Sequence, residues 1–395
     1  MRRHPAMPAV SRYLPLLVVL ALPCLAYAPA SALAAPPSPL NDVLWAFPGA
    51  GAAPGSAMSA AFALSDRWLG AQPFDNPAAL PRRGVVASGV LQRLSRQDLR
   101  AQNRQFDEQG AFIDFGGGWL SVPVGGLGLV AYAYQPVLRL ESNAFARGEV
   151  GGPVQPAIIA SNGTSRELRA GLAVSRSWGA VRGGIAGEFT RRDDVYEISE
   201  QSGSPDQGLR HVDFSGSGFG GQAGLRYRED RAERGSYTLG IGARFVPTLT
   251  VQGEQRFTLL SLDSLATVSA ERESGIEAGA SASYRVTAAF RVLAGVGGRD
   301  ARDWVGFDVR SGAAYQWSVG GEFHDDRDPW TLRFGVGKEH EDDVPEKNAG
   351  ILGLGIGWSF DNSRLDIGLL HRNINREGAP TSYDDRLVAT VTASF

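Results

Sequence analysis

The chain has one cysteine, Cys24, and five histidines among its 395 residues. Cys24 falls in an N-terminal segment that is not expected to stay with the fold. Arg2, Arg3 and Arg12 precede an apolar run from Tyr13 to Leu25, and Ala32-Leu33-Ala34 gives a small-residue exit before Ala35. This order of features predicts a secretory signal peptide over residues 1–34. Its removal leaves no thiol, which excludes disulfides, thiolate metal sites and a cysteine nucleophile. His4 goes with it, and the remaining histidines are His211, His324, His340 and His371, none of which shows a helical His-x-x-x-His spacing. No metal site and no cofactor are expected. No long apolar run follows the signal peptide, whose own run is broken by Pro15 and Pro23 and is short of the ~20 residues of a spanning helix. If the mature chain crosses a membrane, it must do so as a closed barrel, because lipid leaves open sheet edges unsatisfied. Nor is there an excess of either charge. The net charge is −3, and nothing points to nucleic acid.

What the chain has is glycine, 50 residues of it, and alternation. Residues 35–83 are rich in Ala, Gly and Pro and alternate poorly. They read as a small N-terminal hatch or plug. Residues 84–395 read as alternating segments, near 84–95, 110–122, 127–141, 164–177, 180–196, 212–228, 236–257, 265–286, 288–302, 308–325, 330–341, 349–360, 364–375 and 384–395. Strand side chains alternate with period two. In 349–360, Leu352, Leu354, Ile356, Trp358 and Phe360 share one face, while Gly353, Gly355, Gly357 and Ser359 share the other. In the last segment Leu387, Ala389, Val391, Ala393 and Phe395 oppose Arg386, Thr390, Thr392 and Ser394, with Val388 an apolar intruder on the polar face. Short turns alternate with longer polar loops near 96–109, 142–163, 197–211 and 340–348. That asymmetry, with aromatics at strand ends, predicts an all-β fold: a 14-stranded antiparallel transmembrane β-barrel, apolar outside and polar inside, in the Gram-negative outer membrane. The last strand must then pair with the first.

Arg169, Arg182, Arg226, Arg244, Arg285, Arg291 and Arg333 fall on polar faces, as do Glu188, Glu277, Glu322 and Asp366. Arg169, Arg182, Arg244, Arg285 and Arg333 are candidates for guiding a carboxylate through the lumen by bidentate pairing. The competing reading is that they pair with the acids and fill a polar lumen. His371 and Ser394 fall at opposite ends of one hairpin, too far apart for a nucleophile–base pair, so no enzyme is expected.

The C-terminal stretch WTLRFGVGKEH … LGLGIGWSF … LDIGLL … ASF resembles the last four strands of the FadL-type long-chain fatty acid transporters, and Asn76-Pro77-Ala78 resembles the NPA motif of that family's hatch. The resemblance implies fourteen strands and passive uptake of hydrophobic molecules. It also implies a ligand pathway past the hatch at Asn76, Pro77 and Ala78, and a sideways exit at a kink in the third strand, where Pro136 stands. A proline lacks the N–H that a ladder needs. The loop after the seventh strand is shorter than in that family, and barrels with a similar NPA segment also serve aromatic hydrocarbon uptake. The ligand that the resemblance implies is a long-chain fatty acid or an aromatic hydrocarbon. A general porin, or a structural or secretion-associated barrel without a defined small ligand, is the alternative. Expected partners are the hydrophobic ligand, outer-membrane lipid and the barrel-assembly machinery, the last through the strand ending in Phe395. The protein is expected to be a monomer.

Overall fold

A computed structural model describes residues 61–63, 65–69, 72–79, 85–101, 104–107, 112–134, 137–148, 155–201, 207–229, 235–259, 262–305, 312–324, 329–342, 347–376 and 382–395. The signal peptide, the first part of the 35–83 segment and Pro136 lie outside the described residues.

Fourteen antiparallel strands form one closed barrel. The first four are Val86–Ala101, Phe112–Val124, the pair Leu127–Tyr134 and Val137–Gly148, and Gln155–Trp178. Val181–Gln201 and Gln207–Glu229 are the fifth and sixth. The seventh and eighth are each in two pieces, Tyr237–Val246 with Leu249–Leu259, and Leu262–Arg272 with Gly275–Arg285. Then come Phe290–Arg299, Ala314–His324, Trp330–Glu341, Lys347–Phe360, Ser363–Arg376 and Ser382–Ser394. Closure is direct. The first and last strands pair from Val86↔Ser394 to Asp98↔Tyr383, and the Phe395 N–H donates to the Val85 carbonyl at 2.8 Å.

The alternation resolves as apolar outside and polar inside. Leu172 is 72% exposed and Phe219 77%, whereas Glu188 is 4% exposed. A wall with this many outward Leu, Ile, Val and Phe far exceeds the few hundred Å² of apolar patch that a soluble monomer shows. Aromatics rim this wall. Near the short turns, Trp330 meets Trp358 at 3.8 Å, Trp358 meets Phe360 at 5.6 Å and Phe290 meets Phe323 at 4.4 Å. At the far rim Phe189 packs on Phe219 at 5.3 Å, and Tyr315 on His340 at 4.8 Å. From Phe323 up to Tyr315 the strand runs about 27 Å, or about 20 Å of height at the usual barrel tilt. That height fits the apolar band of an outer-membrane barrel.

One expectation is corrected. Much of what reads as long loops near 96–109, 142–163 and 197–211 is strand. The third and fourth strands pair up to Gly148↔Gln155, and the fifth and sixth up to Gln201↔Gln207. Beyond the bilayer both faces of a hairpin meet water, so the apolar alternation that marks a membrane strand disappears while the ladder continues.

Leu354 faces outward midway along its strand and is 49% exposed. Leu354→Arg is expected to lower unfolding stability in lipid vesicles by about 2–4 kcal/mol, measured by urea titration of tryptophan fluorescence. The inward Thr390→Ser should change it far less. Equal effects of the two would contradict the sidedness.

Candidate functional site in the barrel lumen

The described part of residues 61–79 lies inside the barrel, with Phe62, Trp68, Phe74, Asn76 and Ala78 all buried. Glycines on consecutive strands admit it. A Cβ on Gly355 would overlap Ala61 and one on Gly335 the Phe62 backbone, while one on Gly295 would press on the Ser65 backbone. Gly240, Gly242 and Gly279 together make room for Trp68, Gly224 for the Asn76 side chain, and Gly184 for Pro77. The segment therefore follows the inner wall from the twelfth strand back to the fifth, lying where the wall has no side chains.

Asn76 ties this path together. Its Oδ1 accepts from the Ala78 N–H at 2.9 Å, capping the 3-10 turn Pro77–Ala79, whose first residue is a proline that has no N–H to leave unsatisfied. Its Nδ2 donates to the Trp68 carbonyl at 2.7 Å and reaches the wall carbonyls of Ile241 at 3.3 Å and Leu225 at 3.5 Å. The Trp68 N–H donates to Ser281 Oγ at 3.3 Å. Arg67 stacks over the Trp68 ring at 5.0 Å and pairs with Glu277 at 3.3 Å and Asp75 at 3.7 Å. Burial pushes the Asp75 carboxyl above its ordinary value, against the opposing pull of Arg67.

One side of the lumen is ionic. Arg244 pairs with Glu188 at 3.1 Å and Glu277 at 3.6 Å, and donates to the Phe74 carbonyl. Farther from the short turns, Glu167 on the fourth strand receives Arg169 at 2.7 Å, Arg192 at 3.4 Å and, from across the lumen on the eighth strand, Arg272 at 2.8 Å. Arg192 and Arg272 both lie over the buried Trp304 ring, at 5.3 and 5.9 Å. On the eleventh strand, Arg333 pairs with Glu322 at 2.9 Å and with Asp366.

The other side is apolar. Val90, Val130, Tyr132, Tyr134, Ala173, Ile351, Leu370 and Val388 cluster with Ala63 and Phe74 of the inner segment, flanked by Trp119. These wall residues come from the twelfth to fourteenth and first to fourth strands, a continuous arc through the barrel's closure. Phe74 stacks on Tyr134 at 5.2 Å and tilts against Tyr132 at 6.4 Å. Gly171 leaves space for the Tyr132 ring, whose hydroxyl donates to Glu188 at 2.8 Å. Trp119 Nε1 donates to Gln72 of the inner segment.

This arc contains an interrupted ladder. The third strand keeps one register with the fourth on both sides of residues 135–136, Tyr134↔Arg169 and Val137↔Arg166. Its pairing with the second strand ends at Gly117↔Tyr134. Among the described residues, 137–148 pair with the fourth strand, and the short strand piece Arg104–Asp107 lies alongside them on the other side. The second strand is itself irregular there, since its register with the first skips between Val90↔Gly117 and Leu91↔Phe115, with Gly117 at φ 152°.

The sequence-based candidates separate as follows. Asn76, Pro77 and Ala78 lie in the lumen against the fifth and sixth strands. Arg169, Arg244 and Arg333 are lumenal, each against a carboxylate. Arg182 lies at the Trp178–Val181 turn, donating to Ser177 Oγ at 2.9 Å, and Arg285 is half-buried at the end of its strand. His371 meets Asp385 at 2.5 Å, while Ser394 lies beside Asn362 at the other end of the hairpin. The apolar arc was not named from the sequence. Its signal was present in Val388 and Leu370, apolar residues on faces that are otherwise polar, and in Val130 and Ile351, on faces of glycine, alanine and tyrosine.

A closed barrel with an apolar belt, two aromatic rims and a chain segment seated in its lumen is of the outer-membrane type. Its fold is that of the FadL-type transporters. The chain is similar to the CymD monoaromatic hydrocarbon channel, with 13% identity, TM-score 0.63 and coverage of 89% of this chain and 99% of that one. It is similar to the Pseudomonas putida toluene transporter TodX, with 14% identity, TM-score 0.61 and coverage of 84% and 97%. For a Pseudomonas aeruginosa FadL homologue the values are 14%, 0.61, 88% and 100%. No protein-family model and no curated protein matches the sequence. At this identity the likeness is one of fold.

Asn76→Ala removes the donor to the Trp68, Leu225 and Ile241 carbonyls and the cap on the Pro77 turn. An unsatisfied buried polar group costs about 1–3 kcal/mol, so amide exchange across 61–79 should speed by about 10–100-fold, read by hydrogen-exchange mass spectrometry. Unchanged exchange in a folded barrel would rule out Asn76 as the lock.

Proposed function

We propose that this barrel is a passive conduit for hydrophobic molecules across the Gram-negative outer membrane, with residues 35–83 acting as the hatch that closes its lumen. The observation that carries the reading is the inward-facing apolar arc. A water-filled porin needs a polar lumen, and inward Val, Ile, Leu, Tyr and Trp residues reaching from the twelfth strand round to the fourth serve no such channel. A hydrophobic molecule would descend along this arc, past Phe74 and the Asn76–Ala78 turn. It would leave sideways where the ladder between the second and third strands stops, beside Pro136.

The substrate class is neutral aromatic hydrocarbon rather than fatty acid. A fatty-acid carboxylate would have to compete with Glu167, Glu188 and Asp366 for Arg169, Arg244 and Arg333, whereas a hydrocarbon needs no ionic partner. The structural neighbours CymD and TodX, described as a monoaromatic hydrocarbon channel and a toluene transporter, agree with this preference. Phe395, 80% exposed, is the residue through which the last strand would be recognised by the barrel-assembly machinery. The barrel acts as a monomer, since its first and last strands already pair with each other.

A deletion strain should lose uptake of a limiting alkylbenzene and keep most uptake of a long-chain fatty acid. Complementation with Tyr134→Arg, which sets a charge in the apolar arc, should restore at most about a tenth of the uptake. Vesicles carrying the wild-type protein should exclude small polar solutes. The conduit reading fails if uptake of every hydrophobic compound survives the deletion, and free passage of sugars would indicate a porin instead.

A further inference from the structure

The lipid-facing wall of the fourth to seventh strands is not smooth. Outward positions Gly183, Ala223 and Ala243 are small, while Val174, Ile185, Leu225 and Ile241 rise around them. Together with Leu127 and Trp178 they bound a groove of ≈ 620 Å³, within the range of about 300–1,000 Å³ typical of small-molecule sites. The groove is open to the bilayer, so its occupant is whatever the bilayer supplies. One of its lining residues is charged. Arg176 points outward, opposite Leu127 on one side and Gly183 on the other, and its guanidinium lies 5.9 Å from the Trp178 ring. Among the described residues that ring is its one side-chain partner.

A guanidinium on the lipid face is costly unless it reaches the interface and meets an anion. Trp178, two residues nearer the short turn, marks the interface on this strand, so Arg176 is within reach of lipid phosphates. Arginine is suited to phosphate, which it binds through paired N–H donors. We propose that this groove is a specific site for an anionic phospholipid of the periplasmic leaflet, with an acyl chain lying over Gly183, Ala223 and Ala243 and the headgroup phosphate held by Arg176. The aromatic face of Trp178 orients the guanidinium toward that phosphate. The proposal rests on the membrane placement of the barrel, and it is independent of what the lumen carries.

The test is native mass spectrometry of the mature protein released from detergent with equal amounts of phosphatidylglycerol and phosphatidylethanolamine. Heat-modifiable gel migration verifies that each variant is folded. The wild type is expected to retain phosphatidylglycerol over phosphatidylethanolamine by about tenfold. Arg176→Gln should abolish that preference, and Ala243→Phe, which fills the groove, should lower retention of both lipids. Excess inorganic phosphate should not displace the bound lipid. Retention of phosphatidylglycerol by Arg176→Gln at the wild-type level would overturn the proposal. So would displacement by inorganic phosphate, which would assign Arg176 to a free anion instead.

Discussion

Phe395 and Val85 exchange backbone hydrogen bonds, and with that pairing the sheet closes on itself. Everything else depends on this closure. Hydrocarbon offers no partner to an open N–H or C=O, so a sheet can stay in a bilayer only if its first and last strands pair. Closure frees the outer face to be apolar. It also creates an enclosed inner face whose packing no longer has to resemble that of a soluble core.

That inner face is filled in an unusual manner. Buried arginines and carboxylates pair across the lumen, as in Glu167 with Arg169, Arg192 and Arg272. Burying such groups is tolerable only because each is matched by an opposite charge and further hydrogen bonds. The inner segment then occupies the places where the wall carries glycine. The ionic side and the apolar arc meet at Tyr132, whose ring belongs to the arc and whose hydroxyl belongs to the network through Glu188 and Gln222. The segment is held on both sides, by Arg67 on the ionic one and by Phe74 on the apolar one.

The strand count, the closing pair and the short turns were legible in the sequence because the membrane enforces a strict period of two. Leu352, Leu354 and Ile356 alternate with Gly353, Gly355 and Gly357 because one face meets lipid. Where the constraint ends, legibility ends with it. Above the bilayer the hairpin from Val137–Gly148 to Gln155 pairs as strand without an alternating pattern to announce it. The candidate arginines were legible as inward-facing, but their partners were not. Arg272 and Glu167 are 105 residues apart, and no local pattern couples them.

The sequence by itself determined the two-faced strands and their order, because alternation and turn chemistry are local properties. Val388 was already visible as an apolar residue on a polar face. Only the tertiary structure decided that it lies inside the barrel, beside Val90, Leu370 and Phe74, because inside and outside have no meaning until the ladder closes. Only the structure showed that glycines on seven strands share a single purpose: one segment must pass close to each of them, and that requirement exists only when the strands are curved into a ring.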